Sequence, residues 1–178
     1  MLFFGPQDYQ PNREAVERIA NRLFSFLKKN IALPFRVLIC GGGLPEVAKK
    51  DLESRFEGLS YLGFVPDIEA YVKAADVVIN PVTSGGGVKT KLIEAIALGA
   101  TVVSCAAGAA GVDREACGEK LKVVADQDDQ AFAEAVNDIL QKPYSPTPEI
   151  FYHHYNRDRA ILPLLTILSS ENRANKQP

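Results

Sequence analysis

Six short apolar runs, at residues 2–4, 35–39, 60–65, 76–79, 101–104 and 121–124, alternate along this chain with stretches of helical spacing. Runs this short and this continuously apolar read as strands covered on both faces. Parallel neighbours need a crossover between them, and crossovers keep one hand. The pattern therefore predicts an α/β fold, a doubly wound, Rossmann-like parallel sheet of six strands with helices on both faces.

The helical stretches have recognisable starts. Gly5 and Pro6 end the first run, and Asn12 is placed to cap a helix whose apolar face carries Val16, Ile19, Ala20, Leu23, Phe24 and Leu27. A short helix is expected over 45–55, after Gly41, Gly42 and Gly43. Pro66 and Asp67 open another, which runs through Ala74, and Asp128 opens one that buries Phe132, Val136, Ile139 and Leu140. Three prolines mark 143–148 as a break, so the expected division is a domain over 1–142 and a linker over 143–156. A leucine- and isoleucine-rich helix over 157–170 needs a surface to cover, and a polar tail over 171–178 is expected to fray.

At 178 residues the chain suffices for one such domain with a real core. Its net charge of −2 supplies no broad positive field, which argues against nucleic acid and anionic lipid as partners. Three cysteines, an odd number, fit reduced thiols and a cytoplasmic setting; Cys40 and Cys105 end apolar runs and read as buried. No apolar run approaches the roughly 20 residues that span a bilayer. The chain opens directly on a core strand, so an excised domain or fragment is the expectation.

Residues 80–99, NPVTSGGGVKTKLIEAIALG, concentrate the chemistry. A strand runs into a glycine-rich loop, and the loop runs into a helix with Leu92, Ala95, Ile96 and Gly99 on one face. Free N–H groups and the positive pole of a helix suit an anion, and Lys89 and Lys91 add charge there. Glu94 has two readings: a solvent-side pair with Lys91, three residues back, or a carboxylate aimed at a hydroxylated ligand.

Other motifs read more plainly. Gly41 and Gly43 would need a glycine at position 46 to complete a dinucleotide fingerprint, and Glu46 stands there, so a tight turn is expected and a hydride-transferring dehydrogenase is disfavoured. Asp67 reads as a cap, as do Asp126, Asp128 and Asp129 at a helix start. His153 and His154 lack carboxylate or thiolate partners at ligand spacing, so no metal site is expected. No residue is nominated as a general base, and the catalytic residues stay unassigned.

From about Phe4, through Gln10-Pro11-Asn12, to about Leu140, and most specifically over residues 63–104, the chain resembles the C-terminal domain of retaining glycosyltransferases of the two-domain GT-B fold, in the branch with a triple glycine and a following lysine. The resemblance implies one half of a GT-B fold, which binds a nucleotide-sugar donor, such as a UDP- or GDP-sugar, as substrate and needs no other cofactor. It implies a missing N-terminal Rossmann-like domain, on which the helix over 157–170 would pack, and any peripheral membrane association through that half alone. By position it assigns the donor ribose hydroxyls to Glu94, the diphosphate and sugar to the backbone of Ser84, Gly85, Gly86, Gly87, Val88, Lys89 and Thr90, and the base to the main chain of Phe64 and Val65. Gly5 falls at the turn facing the interdomain cleft. The first of the family's two glutamates falls at Gly86, and its usual diphosphate-neutralising Arg and Lys are not recognisable, which leaves that charge to Lys89 or Lys91. The expected activity is hexose transfer to an unidentified acceptor. A binding module without catalysis and a sugar-nucleotide epimerase of similar architecture are the alternatives.

Overall fold

The computed structural model describes residues 1–87 and 89–156. Among them, β1 (Leu2–Phe4), β2 (Val37–Cys40), β3 (Leu59–Gly63), β4 (Val78–Asn80), β5 (Val102–Cys105) and β6 (Leu121–Val124) form one parallel sheet, in the order β3-β2-β1-β4-β5-β6. Period-two alternation divides the strand residues between two cores. Phe3, Val77, Ile79 and Val103 join one with α1 (Gln10–Arg18), α2 (Phe24–Asn30) and α7 (Asp129–Leu140). Leu2, Val78 and Val102 join the other with α4 (Ile68–Ala74), α5 (Thr90–Ala97) and α8 (Glu149–His154). The doubly wound sheet is therefore as expected.

The centre of the sheet is its loosest seam. β1 matches β2 at three positions, but pairs β4 only through Leu2 and Val78. The chain leaves β1 towards β2 and leaves β4 towards β5, so the strand order reverses here. A sheet that parts at its reversal point leaves a crevice beyond the carboxyl ends of the strands.

Several local expectations change. Asn12 does not cap α1: Pro11 sits in the first turn, Tyr9 takes the cap position, and Asn12 lies inside the helix with its side chain buried. Proline fits the first turn because the missing N–H has no partner to lose there. A π-turn (Ile19–Leu23) joins α1 to α2. The loop at 108–111 begins in a 3-10 turn (Ala107–Ala109), and α3 (Glu46–Arg55) and α6 (Arg114–Cys117) complete the helices named here.

The three acids near 128 separate in role. Asp128 caps α7 through the Ala131 N–H at 2.9 Å, whereas Asp126 accepts from the Ala107 N–H at 3.0 Å. Asp129 is buried and joins Arg18 and Arg22 at 2.8 and 2.9 Å, clamping α7 to α1 and its π-turn. Asp67 caps α4 through the Ala70 N–H, as expected. Cys40, Cys105 and Cys117 are free and buried, and burial pushes the Cys40 and Cys117 thiols up to about 11.

The stretch 143–156, expected as a linker, holds α8, which buries Phe151 in the second core. This stretch also closes the far end of α5. The Thr147 hydroxyl donates to the Ile96 carbonyl at 2.7 Å and the Tyr152 hydroxyl to the Ala97 carbonyl at 3.0 Å. Lys120 donates to the Gly99 carbonyl at 2.7 Å, with its ammonium 4.4 Å from the centre of the Tyr144 ring. Helix ends leave carbonyls short of partners; Tyr152 supplies one to Ala97, and Thr147 adds a second to Ile96, which also accepts from the Gly99 N–H at 3.0 Å. The helix expected over 157–170 and the tail over 171–178 lie outside the described residues. Among the described residues no helix is long and apolar enough to cross a membrane.

Candidate functional site

The crevice between β1 and β4 is a pocket of about 340 Å³. Phe4, Gly5, Pro6, Tyr9 and Asn12 wall it on the β1 side, Asn80, Val82, Ser84 and Gly86 on the β4 side, and Gly108 after β5. The first turns of α5 close it with Lys89, Thr90, Lys91, Leu92 and Glu94. Wider hollows, of about 500, 700 and 830 Å³, open at the amino ends of the strands, beside 33–36, 56–60 and 98–101. Parallel sheets bind ligands at the other end.

The start of α5 differs from those of α4, α6 and α7. Those three are capped by the carboxylates of Asp67, Asp113 and Asp128. At α5 the cap position is Lys89, no side chain caps the helix, and no acid lies in the first turn. A cation at the positive pole of a helix is unfavourable unless an anion joins it.

Neither lysine finds a carboxylate among the described residues. Lys89 donates to the Gly85 carbonyl at 3.1 Å. Lys91 donates to the Asn12 side-chain oxygen at 3.2 Å, with its ammonium 4.6 Å from the centre of the Phe3 ring. Burial, with Lys89 as a second cause, lowers the Lys91 ammonium to about 8. Of the two readings of Glu94, the pair with Lys91 does not form. Glu94 is exposed at the pocket wall, and among the described residues no hydrogen bond or ion pair engages its carboxylate; Lys91 turns instead to the Asn12 side-chain oxygen.

Gly5, Ser84, Gly86, Lys89, Thr90, Lys91 and Glu94 thus line one pocket. Gly85 and Gly87 shape the loop from outside that lining, with φ of +88° and +83°. A Cβ on Gly85 would lie 2.5 Å from the Tyr9 hydroxyl, whereas one on Gly86 meets nothing within 4 Å. Val88 lies outside the described residues. Phe64 and Val65 are not in the lining. They follow β3, where Phe64 is 80% exposed and Val65 packs on the second core.

The sequence reading missed Tyr9, Asn80 and Gly108, and gave Asn12 a different role. Asn80 had a signal, an amide directly after the apolar Val77-Val78-Ile79 at a strand's carboxyl end. Tyr9 and Gly108 had none, since only folding brings them to the pocket. A further tie holds the loop: the Ser84 hydroxyl donates to Glu14 at 2.7 Å. Hydrogen bonds from Ser84 and Gln10 hold the Glu14 carboxyl below its usual range.

The family model for glycosyl transferases group 1 matches residues 1–142. No curated protein sequence matches the chain. Among solved structures, HepE from Anabaena, crystallised with UDP and glucose, superposes with a TM-score of 0.70 at 19% identity, over 95% of this chain and 47% of that one. Sucrose-phosphate synthase from Thermosynechococcus elongatus gives 0.64 at 21% identity, over 97% and 45%. WaaG, a glycosyltransferase involved in lipopolysaccharide biosynthesis, gives 0.58 at 20% identity, over 79% and 38%. The chain spans about half the length of the first two, 47% and 45%.

Proposed function

Because the chain belongs to the group 1 glycosyl transferases, we propose that the β1/β4 pocket holds the nucleotide-sugar donor of a sugar-transfer reaction. One observation carries this reading: α5 starts without a capping acid, under two lysines that have only neutral partners among the described residues. A diphosphate completes that arrangement. It lies against the first free amides of α5, with Lys89 and Lys91 sharing its charge. The unengaged carboxylate of Glu94, one turn further on, takes the ribose hydroxyls, and the base lies towards the main chain of Phe64 and Val65.

In transfer, the bond from the sugar's anomeric carbon to the diphosphate breaks as a bond to an acceptor oxygen forms, and the acceptor's proton leaves with the departing diphosphate. Negative charge grows on the departing phosphate, where preformed amides and an ammonium in a sheltered site stabilise it most. We assign the donor as a UDP- or GDP-hexose, the outcome as retention of configuration, the setting as cytoplasmic, and the pathway class as polysaccharide biosynthesis. The acceptor site belongs to an N-terminal Rossmann-like domain, so this chain alone binds nucleotide but turns over poorly.

Thermal unfolding with UDP, GDP and NAD tests the reading. At about 100 times its dissociation constant a ligand adds about 2.7 kcal/mol, a rise of roughly 5–10 °C for a chain of this size. UDP or GDP is expected to give that rise, and Lys91→Ala to reduce it. A rise with NAD alone, or with none of the three, contradicts the reading. A second reading, binding without catalysis, is favoured by Gly86, which leaves the wall open where the resemblance puts a glutamate. Turnover by the two-domain enzyme decides between them.

A further inference from the structure

Two buried side-chain oxygens, on Gln7 and Asn80, have no hydrogen-bond or ion-pair partner among the described residues. Of these two residues, Asn80 lines the pocket. It is 3% exposed and rigidly held. Its amide nitrogen donates to the Ser104 hydroxyl at 2.9 Å and to the Gly108 carbonyl at 3.2 Å. The second contact fixes which way the amide faces, because a flipped side chain would set oxygen against the Gly108 carbonyl oxygen. Gly108 must be glycine for this to hold, since a Cβ there would stand 2.5 Å from that nitrogen.

Both amide protons are therefore used, and Oδ1 remains as a fixed acceptor without a donor. A buried acceptor in that state costs free energy and calls for an occupant. Its chemistry selects the occupant. A phosphate oxygen would be repelled, whereas a hydroxyl would donate. The lysines and the start of α5 lie on one side of the pocket, and Asn80 lies at the ends of β4 and β5.

We propose that Asn80 accepts a hydrogen bond from a hydroxyl of the transferred sugar, and so turns the donor with its diphosphate over α5 and its sugar towards Gly108. This rests on the donor-binding reading above, and it adds the residue that senses the sugar itself.

Calorimetric titration of the 178-residue chain with UDP and UDP-glucose, and in parallel with GDP and GDP-mannose, tests it. The sugar nucleotide is expected to bind about fivefold more tightly than its nucleotide, the worth of one hydrogen bond. Asn80→Ser is expected to abolish that preference while leaving nucleotide affinity unchanged. Monodeoxy analogues of the sugar read the same contact without a mutation. One of them is expected to lose about fivefold on the wild-type chain and nothing on Asn80→Ser. A preference that survives the substitution, equal losses for nucleotide and sugar nucleotide, or a wild-type chain indifferent to every deoxy analogue overturns the proposal. A wild-type chain that binds neither UDP nor GDP overturns the donor-binding reading itself, and this proposal with it.

Discussion

Lys91 shows how one side chain can be shaped for a guest. Burial lowers its ammonium to about 8 against 10.5 in a free chain, and a bound diphosphate would raise it again. Between those values the unfolded chain holds more protons than the folded one, so Lys91's contribution to stability rises with pH across that window. Binding reverses the sign. At pH 8 about half of the Lys91 population is neutral, so UDP binding is expected to take up about half a proton on Lys91 and to weaken as pH climbs further. Calorimetry in two buffers of different ionisation enthalpy reads that uptake, and Lys91→Met should remove it. The glycines beside it differ in kind. Gly85→Ala meets Tyr9 and a left-handed backbone, and is expected to cost at least about 1–2 kcal/mol. Gly86→Ala has free space and a permitted φ, and should leave the unfolding free energy in urea within roughly 0.5 kcal/mol of wild type.

At the scale of elements, one buried acid ties α7 to α1 and the π-turn. Asp129 is buried between Arg18, itself nearly covered, and the half-exposed Arg22. Asp129→Ala strands the Arg18 charge inside and is expected to cost about 3–5 kcal/mol in urea unfolding. Arg22→Ala is expected to cost no more than about 1 kcal/mol, since water screens its half of the pair. Spacing in the sequence revealed the elements but not these ties. Val77-Val78-Ile79 announced β4, and Leu92, Ala95 and Ile96 announced the buried face of α5, because burial imposes periods of two and 3.6. Asn12 misled, because a residue suited to capping also fits inside a first turn already set by Pro11. Asp129 looked like one of three equivalent acids. Its partners on α1 and the π-turn stand more than a hundred positions away, where no local pattern reaches.

At the scale of the molecule, the segments that follow β1, β4 and β5 converge into one usable crevice because the sheet reverses direction between β1 and β4. The lysines and Glu94 were legible, since they follow a glycine loop on one helix. Tyr9, Asn80 and Gly108 come from three separate loops or strand ends and meet only through that reversal. The closure of α5 by the segment that follows α7 bears on where this protein can be cut. The family match ends at 142, an inviting place for a stop codon. A chain ending there loses Thr147 and Tyr152, which cover two α5 carbonyls, the Tyr144 ring beside Lys120, and Phe151 from its socket. It is expected to melt well below a chain carried to 156 in a calorimetric scan. Anyone trimming this domain for crystals, or splicing it into a chimera, should put the scissors after α8 rather than before it.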